Sequence, residues 1–161
     1  YLWADYICNI FMFIRISKYD RSLIKEQKSL DKYYCIDNGM RGAVLMPQSN
    51  DNGKNLENTV FMQLNRMRLP TDKITYYQGN CECDFVLQRE DSVIQLIQVT
   101  WDMVDESTRE REVKGLLEAA SVTGCENLII ITKDTENIFV RDGREIRVIP
   151  AWKWLLQNNE K

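Results

Sequence analysis

Apolar residues along the chain recur with two different periods. In residues 55–68, Leu56, Val60, Leu64 and Met67 return at helical spacing, and Pro70 stands just beyond, so the spacing predicts a helix. A second helix is expected after residue 106. There Ser107-Thr108-Arg109-Glu110 has the spacing of a capping box, Val113, Leu116, Leu117 and Ala120 form the apolar stripe, and Gly124 supplies the stop. Between these helices the period falls to two, predicting strands at 73–77, 81–88 and 93–101, the last two joined tightly through Arg89-Glu90-Asp91-Ser92. Residues 126–132 are apolar enough for a strand buried on both faces. Residues 138–140 and 146–149 flank Asp142-Gly143 as a hairpin, and 152–156 read as a short closing helix. The expected class is α/β, with the order helix, three strands, helix, strand.

Upstream, residues 2–16 read as a helix leading into a strand, and the charged stretch 18–29 is the softest seam. Residues 32–36 follow as a short strand that Asp37-Asn38-Gly39 turns, and the polar stretch 48–54 reads as a loop. Trp3, Phe11, Met12 and Phe13 are expected to pack in a core rather than form an exposed face. The chain of 161 residues, with 44% hydrophobic and 28% charged residues, suits one globular domain and a short appendage. No apolar run reaches the roughly 18 residues that a membrane span requires, so no membrane association is expected. Asn9 and Arg15 interrupt the most apolar stretch, which argues against a signal peptide, and the opening on Tyr1 rather than Met reads as an excised piece.

Composition then narrows the chemistry. The chain has no histidine, which removes Ser-His-Asp and Cys-His catalysis and leaves carboxylates, lysines and tyrosines as candidate groups. Five cysteines without a CxxC pair read as reduced thiols of a cytoplasmic protein rather than a zinc site. A formal charge of −3 gives no global attraction to phosphate backbones, so contact with DNA would need a local cationic patch or a neighbouring basic domain.

Two acids break the pattern. Glu57 falls between Leu64 and Phe61 on the apolar face of its helix, where a charge requires a partner. Asp84 lies inside Cys83-Asp84-Phe85-Val86-Leu87, and with Glu90-Asp91-Ser92 as the loop the antiparallel register sets it opposite Gln98, with Thr100 two residues further along the same face. Ordinary accounts exist for each: first-turn acids suit the helix dipole, and polar residues end strands. Arg109 lies near the stripe of the second helix, early enough to approach this region, although pairing of Arg109 and Arg111 with Glu106 or Glu112 is the simpler expectation.

This arrangement resembles the PD-(D/E)XK phosphodiesterase core, in which a helix supplies a glutamate, the second strand an aspartate, and the third strand an acid-x-lysine pair. Glu57 and Asp84 match the first two positions, whereas Gln98 stands for the acid and Thr100 for the lysine. More narrowly, the chain is similar to the C-terminal domain, of unknown function, in a group of bacterial and archaeal AAA+ ATPases. The resemblance rests on Lys32-Tyr33-Tyr34 with Asp37, Gly39 and Arg41, on Leu56-Glu57-Asn58, on Glu82-x-Asp84-Phe85-Val86, on Ile97-Gln98-Val99, on Thr108 with Arg111-Glu112, and on the ending from Trp152 to Leu156.

The resemblance implies a restriction-endonuclease-like mixed sheet over residues 32–161, preceded in residues 1–31 by the tail of a winged-helix module. It implies a degenerate site at Glu57, Asp84, Gln98 and Thr100, with Arg109 as the candidate displaced cation. Glu57 and Asp84 would hold Mg²⁺ only weakly. No GxxxxGK[ST] loop occurs, so ATP belongs to an N-terminal part outside this sequence. The function expected is a DNA- or protein-binding regulatory module of a larger ATPase. An active Mg²⁺-dependent nuclease and a structural dimerisation domain are the alternatives. The expected partners are the ATPase domain, DNA and a second copy.

Overall fold

The computed structural model describes residues 2–22, 24, 26, 29–44 and 52–157. An N-terminal helix α1 (Leu2–Asn9) leads into β1 (Phe13–Ile16), which pairs antiparallel with β2 (Lys32–Cys35) as a two-stranded sheet. A short helix α2 (Asn38–Val44) follows where a turn was expected; Asp37 accepts the Met40 N–H at 2.8 Å and starts it. The next helix, α3 (Asn52–Met67), begins earlier than its apolar stripe implies, so Asn52, Gly53 and Lys54 are helical rather than part of a loop. The rest of that expected loop, residues 48–51, lies outside the described residues.

The main body is a six-stranded mixed sheet in the order β3-β4-β5-β6-β8-β7. Its strands are β3 (Asp72–Gln78), β4 (Glu82–Arg89), β5 (Ser92–Val99), β6 (Leu128–Thr132), β7 (Asn137–Arg141) and β8 (Arg144–Pro150). Helix α4 (Glu106–Thr123) carries the parallel crossover from β5 to β6, and α5 (Ala151–Gln157) closes the described chain. Asp105, not Ser107, caps α4: its carboxylate accepts the Thr108 N–H, while Gly124 ends the helix at φ 77°. The hairpin turn at Asp142-Gly143 takes φ 51° and 76°, the left-handed pair that a two-residue connection needs.

Alternation along the strands divides the core into two layers. Phe85, Ile97, Val99, Ile129 and Ile131 meet Leu56, Val60, Phe61 and Leu64 of α3 and Trp154 of α5. Val86, Leu96, Leu128, Ile130 and Ile146 meet Val113, Leu116, Leu117 and Ala120 of α4. The chain is therefore a mixed α/β domain with helices on both faces of its sheet, an architecture compatible with a restriction-endonuclease-like fold.

The N-terminal segment is tied to this body. Ile16 and Tyr34 belong to the α3 layer, and the rings of Tyr34 and Phe61 stack at 4.2 Å. Beyond β1, Tyr76 of β3 donates its N–H to Ser17 at 3.2 Å and accepts that of Tyr19 at 2.6 Å, so residues 17–19 run along the outer edge of β3. Trp3 and Phe11 do not pack as expected: they are 83% and 78% exposed, while Met12 and Phe13 are half-buried. Among the described residues, no helix is long and apolar enough to cross a membrane.

Candidate functional site

The structure brings Glu57 and Asp84 together around a lysine. On β2, Lys32 and Tyr34 point to the same side, toward α3, while Tyr33 between them is exposed. The Lys32 ammonium lies 3.5 Å from Glu57 Oε1 and 3.4 Å from Asp84 Oδ1, donates to Glu82 Oε1, and stands 5.3 Å from the centre of the Tyr76 ring. Tyr34 adds a hydroxyl that donates to Glu57 Oε1 at 2.7 Å. Three acids from one helix and one strand thus share one cation. Its own strand lies 25 residues before Glu57 and 52 before Asp84.

Asp84 is the most buried of these acids. Its Oδ2 accepts the Val99 N–H at 2.9 Å, so the carboxylate is inserted where β4 and β5 separate. Burial, and then the charge of Glu57, push its carboxyl up to about 8, against the opposing pull of Lys32 and the Val99 N–H. Burial works against the charge on Lys32, but Asp84, Glu57 and Glu82 outweigh it and hold the ammonium above its ordinary range. Burial, followed by the Glu57 charge, also raises the Tyr34 hydroxyl, leaving it a donor rather than a base.

Gln98 has a different assignment. Its side-chain oxygen accepts the Asp84 N–H at 3.2 Å, and its nitrogen donates to Glu112 of α4. Glu112 is itself buried and accepts Arg111 at 2.6 Å. The β4–β5 pairing sets Phe85 opposite Ile97 and Val86 opposite Leu96, the register that makes Gln98 the neighbour of Asp84. Thr100 follows the end of β5, and its hydroxyl donates to the Asp102 carbonyl at 3.0 Å. Arg109 pairs with Glu106 at 3.4 Å on the α4 surface. The cation at Glu57 and Asp84 is Lys32, which sequence reasoning had placed in a strand and in a motif of the resemblance but not in the site. Glu82 and Glu112 were also missed as members of the cluster and its extension.

Gly115 holds α4 close to this region. A Cβ there would lie 1.9 Å from the Glu82 carbonyl oxygen, so only glycine permits the helix to rest on the start of β4. On the other side, a cavity of about 520 Å³ opens beside Lys32 and Glu57. Met12, Phe13 and Tyr33 contribute apolar wall, and Arg41 and Lys54 add two further cations.

No protein-family model matches the chain. It is 30% identical over 164 residues to an uncharacterised protein, MJ1544, of Methanocaldococcus jannaschii, and 28% identical over 155 residues to an uncharacterised protein of Haemophilus influenzae. These alignments take in 97% and 96% of the chain but only 36% of each relative, so the chain spans about a third of the length of the curated relatives it matches. A solved half-complex from a tetradecameric assembly of Thermococcus gammatolerans McrB AAA+ hexamers with bound McrC aligns at TM-score 0.43 and 15% identity. That alignment covers 67% of this chain and 33% of the other.

Proposed function

We propose that this domain is a nuclease-like module that binds DNA without cutting it, as a regulatory part of a longer AAA+ ATPase. The observation that carries the non-catalytic reading is the position of Lys32, whose ammonium contacts Glu57, Glu82 and Asp84 at once. A divalent ion recruited by these acids would have to displace a cation built into the chain. Mg²⁺ wants several oxygen ligands. Gln98 brings no charge, and its one oxygen already accepts the Asp84 N–H. Thr100 offers no ammonium to set against a developing phosphate charge.

Support for DNA as the ligand comes from the cavity beside the cluster. Arg41 and Lys54 line it, cations additional to the Lys32 that Glu57, Glu82 and Asp84 already surround. We assign residues 1–31 to the end of a preceding winged-helix module as part of the same proposal, with β1 joining it to the nuclease-like body. The parent ATPase rests on the family resemblance of the motifs and on relatives about three times the length of this chain.

A second reading has one observation in its favour. The displaced cation sought at Arg109 has a counterpart in Lys32, close enough to Glu57 and Asp84 to serve an active nuclease.

The two readings separate in one experiment, in which the chain is incubated with labelled duplex and single-stranded DNA, with Mg²⁺ or Mn²⁺, and both anisotropy and product length are read. Binding without cleavage is expected. Lys54→Glu should weaken that binding on every sequence and lower the salt slope by about one or two. Cleavage lost in both Lys32→Ala and Asp84→Ala would establish the active enzyme instead. Absence of binding to either DNA would redirect the module to a protein partner.

A further inference from the structure

The two edges of the six-stranded sheet are treated differently. Residues 17–19 cover the edge at β3, whereas β7 ends the strand order at the other side. Ile138 and Val140 on that strand are 62% and 66% exposed, and the strand itself contains neither lysine nor proline, two residues that commonly protect an edge.

The hairpin fixes which backbone groups face outward. Arg141 pairs with Arg144 across a two-residue turn, so 141/144, 139/146 and 137/148 are the hydrogen-bonded pairs within the sheet. The N–H and C=O groups of Ile138 and Val140 are therefore directed away from β8. The Ile138 N–H is held meanwhile by Asn137 Oδ1 at 2.8 Å, a local contact that a backbone acceptor can replace.

We propose that this edge joins a second copy of the chain, β7 against β7 and antiparallel, with the two-fold axis at Phe139. Only this register lets the outward groups of Ile138 exchange hydrogen bonds with those of Val140 in the second copy. It therefore brings the two exposed apolar side chains opposite each other twice. Phe139 then meets its own counterpart at the closer, non-hydrogen-bonded position. Its ring lies toward a groove of about 480 Å³ between β7 and α4, whose apolar surface includes Val113, Leu117 and Val148. The second Phe139 ring enters that groove from the neighbouring strand. Charge along the segment agrees with this direction. Asp134 and Glu136 precede the strand and Arg141 ends it, so antiparallel pairing sets the acidic approach of one copy near Arg141 of the other. Asp142 sits in the turn, beyond the last pair.

The inference does not depend on the DNA-binding reading and is tested by sedimentation equilibrium. The chain should associate reversibly to a dimer, and Val140→Lys, at an exposed position, should weaken the dimer about tenfold or more while leaving the circular dichroism spectrum unchanged. A register test uses Ile138→Cys and Val140→Cys, each with Cys8 and Cys81, the two half-buried thiols, changed to serine. Mixed under mild oxidation, they should form a disulfide-linked heterodimer, because opposed residues of a hydrogen-bonded pair lie about 5.5 Å apart at Cα. Neither should link to itself efficiently. A chain that stays monomeric at about 100 µM, a range in which specific dimers of modest area persist, overturns the proposal and leaves the edge to a different partner. A dimer indifferent to Val140→Lys, or cysteines that link equally well alone, overturns it as well.

Discussion

Replacing Lys32 by methionine keeps most of its volume and removes its charge. Each of its contacts with Glu57 and Asp84, at 3.5 and 3.4 Å, represents about 5 kcal/mol of gross attraction at an effective dielectric constant near 20. Desolvation of the ammonium and the ordering of its side chain offset most of that. Fully exposed pairs contribute about 0–1 kcal/mol, whereas removing one partner of a buried pair costs about 3–5 kcal/mol. The Lys32 side chain is 23% exposed and that of Asp84 8%, which puts Lys32→Met between these limits, at about 2–3 kcal/mol of lost stability. For a chain of this length that is a fall in melting temperature of about 5–10 °C. In an Asp84→Asn background one of the three acids no longer needs the cation, so the same change should cost at least about 1 kcal/mol less. Urea unfolding of the four proteins of this cycle at about pH 9, where a carboxyl raised to about 8 is ionised, measures the difference. A Lys32→Met loss below about 0.5 kcal/mol, the range of ordinary surface changes, or the same loss with and without Asp84→Asn, would refute the shared-cation account.

Two further outcomes follow from the same geometry. Because burial and Glu57 raise the Asp84 carboxyl to about 8 in the folded chain, while an unfolded aspartate ionises near 4, folding takes up a proton between those values. Asp84 therefore makes stability fall as pH rises from about 5 to about 8. Asp84→Asn should flatten that decline in urea midpoints, and an unchanged slope would contradict it. Gly115→Ala should destabilise by about 2–3 kcal/mol by calorimetry, since its Cβ would strike the Glu82 backbone, which cannot rotate away; a neutral effect would mean that α4 does not rest on β4.

The strands and the two long helices were legible because period and burial agree along them. The β4–β5 register illustrates how such a reading can succeed through a wrong detail. A three-residue connection was expected, and the chain instead makes a two-residue turn at Glu90-Asp91 followed by a register shift between Leu87 and Gln88. The residue count is the same, so Asp84 still faces Gln98. Start signals were less legible. Asp105 caps α4 two residues before the expected capping box, because its carboxylate reaches the Thr108 N–H first.

Lys32 was not recognised because its partners are distant in the chain and a single lysine in a strand has no spacing to read. Parity held a clue: Lys32 shares a strand face with Tyr34, and an inward lysine needs acids, while Glu57 and Asp84 were acids lacking a cation. Arg109 was the candidate displaced cation for its nearness in sequence to the third strand of the motif, but the simpler expectation is the one α4 shows, with Arg109 paired to Glu106 and Arg111 to Glu112.

The most direct test of the central claim is a Mn²⁺ titration followed by electron paramagnetic resonance on the native chain, Lys32→Ala, and Lys32→Ala with Asp84→Asn. If Lys32 closes the acidic cluster, the native chain should bind no tighter than about millimolar. Lys32→Ala should bind at least about tenfold tighter, and adding Asp84→Asn should remove the gain. Micromolar binding by the native chain that Asp84→Asn abolishes would contradict the account and make the site a working metal centre.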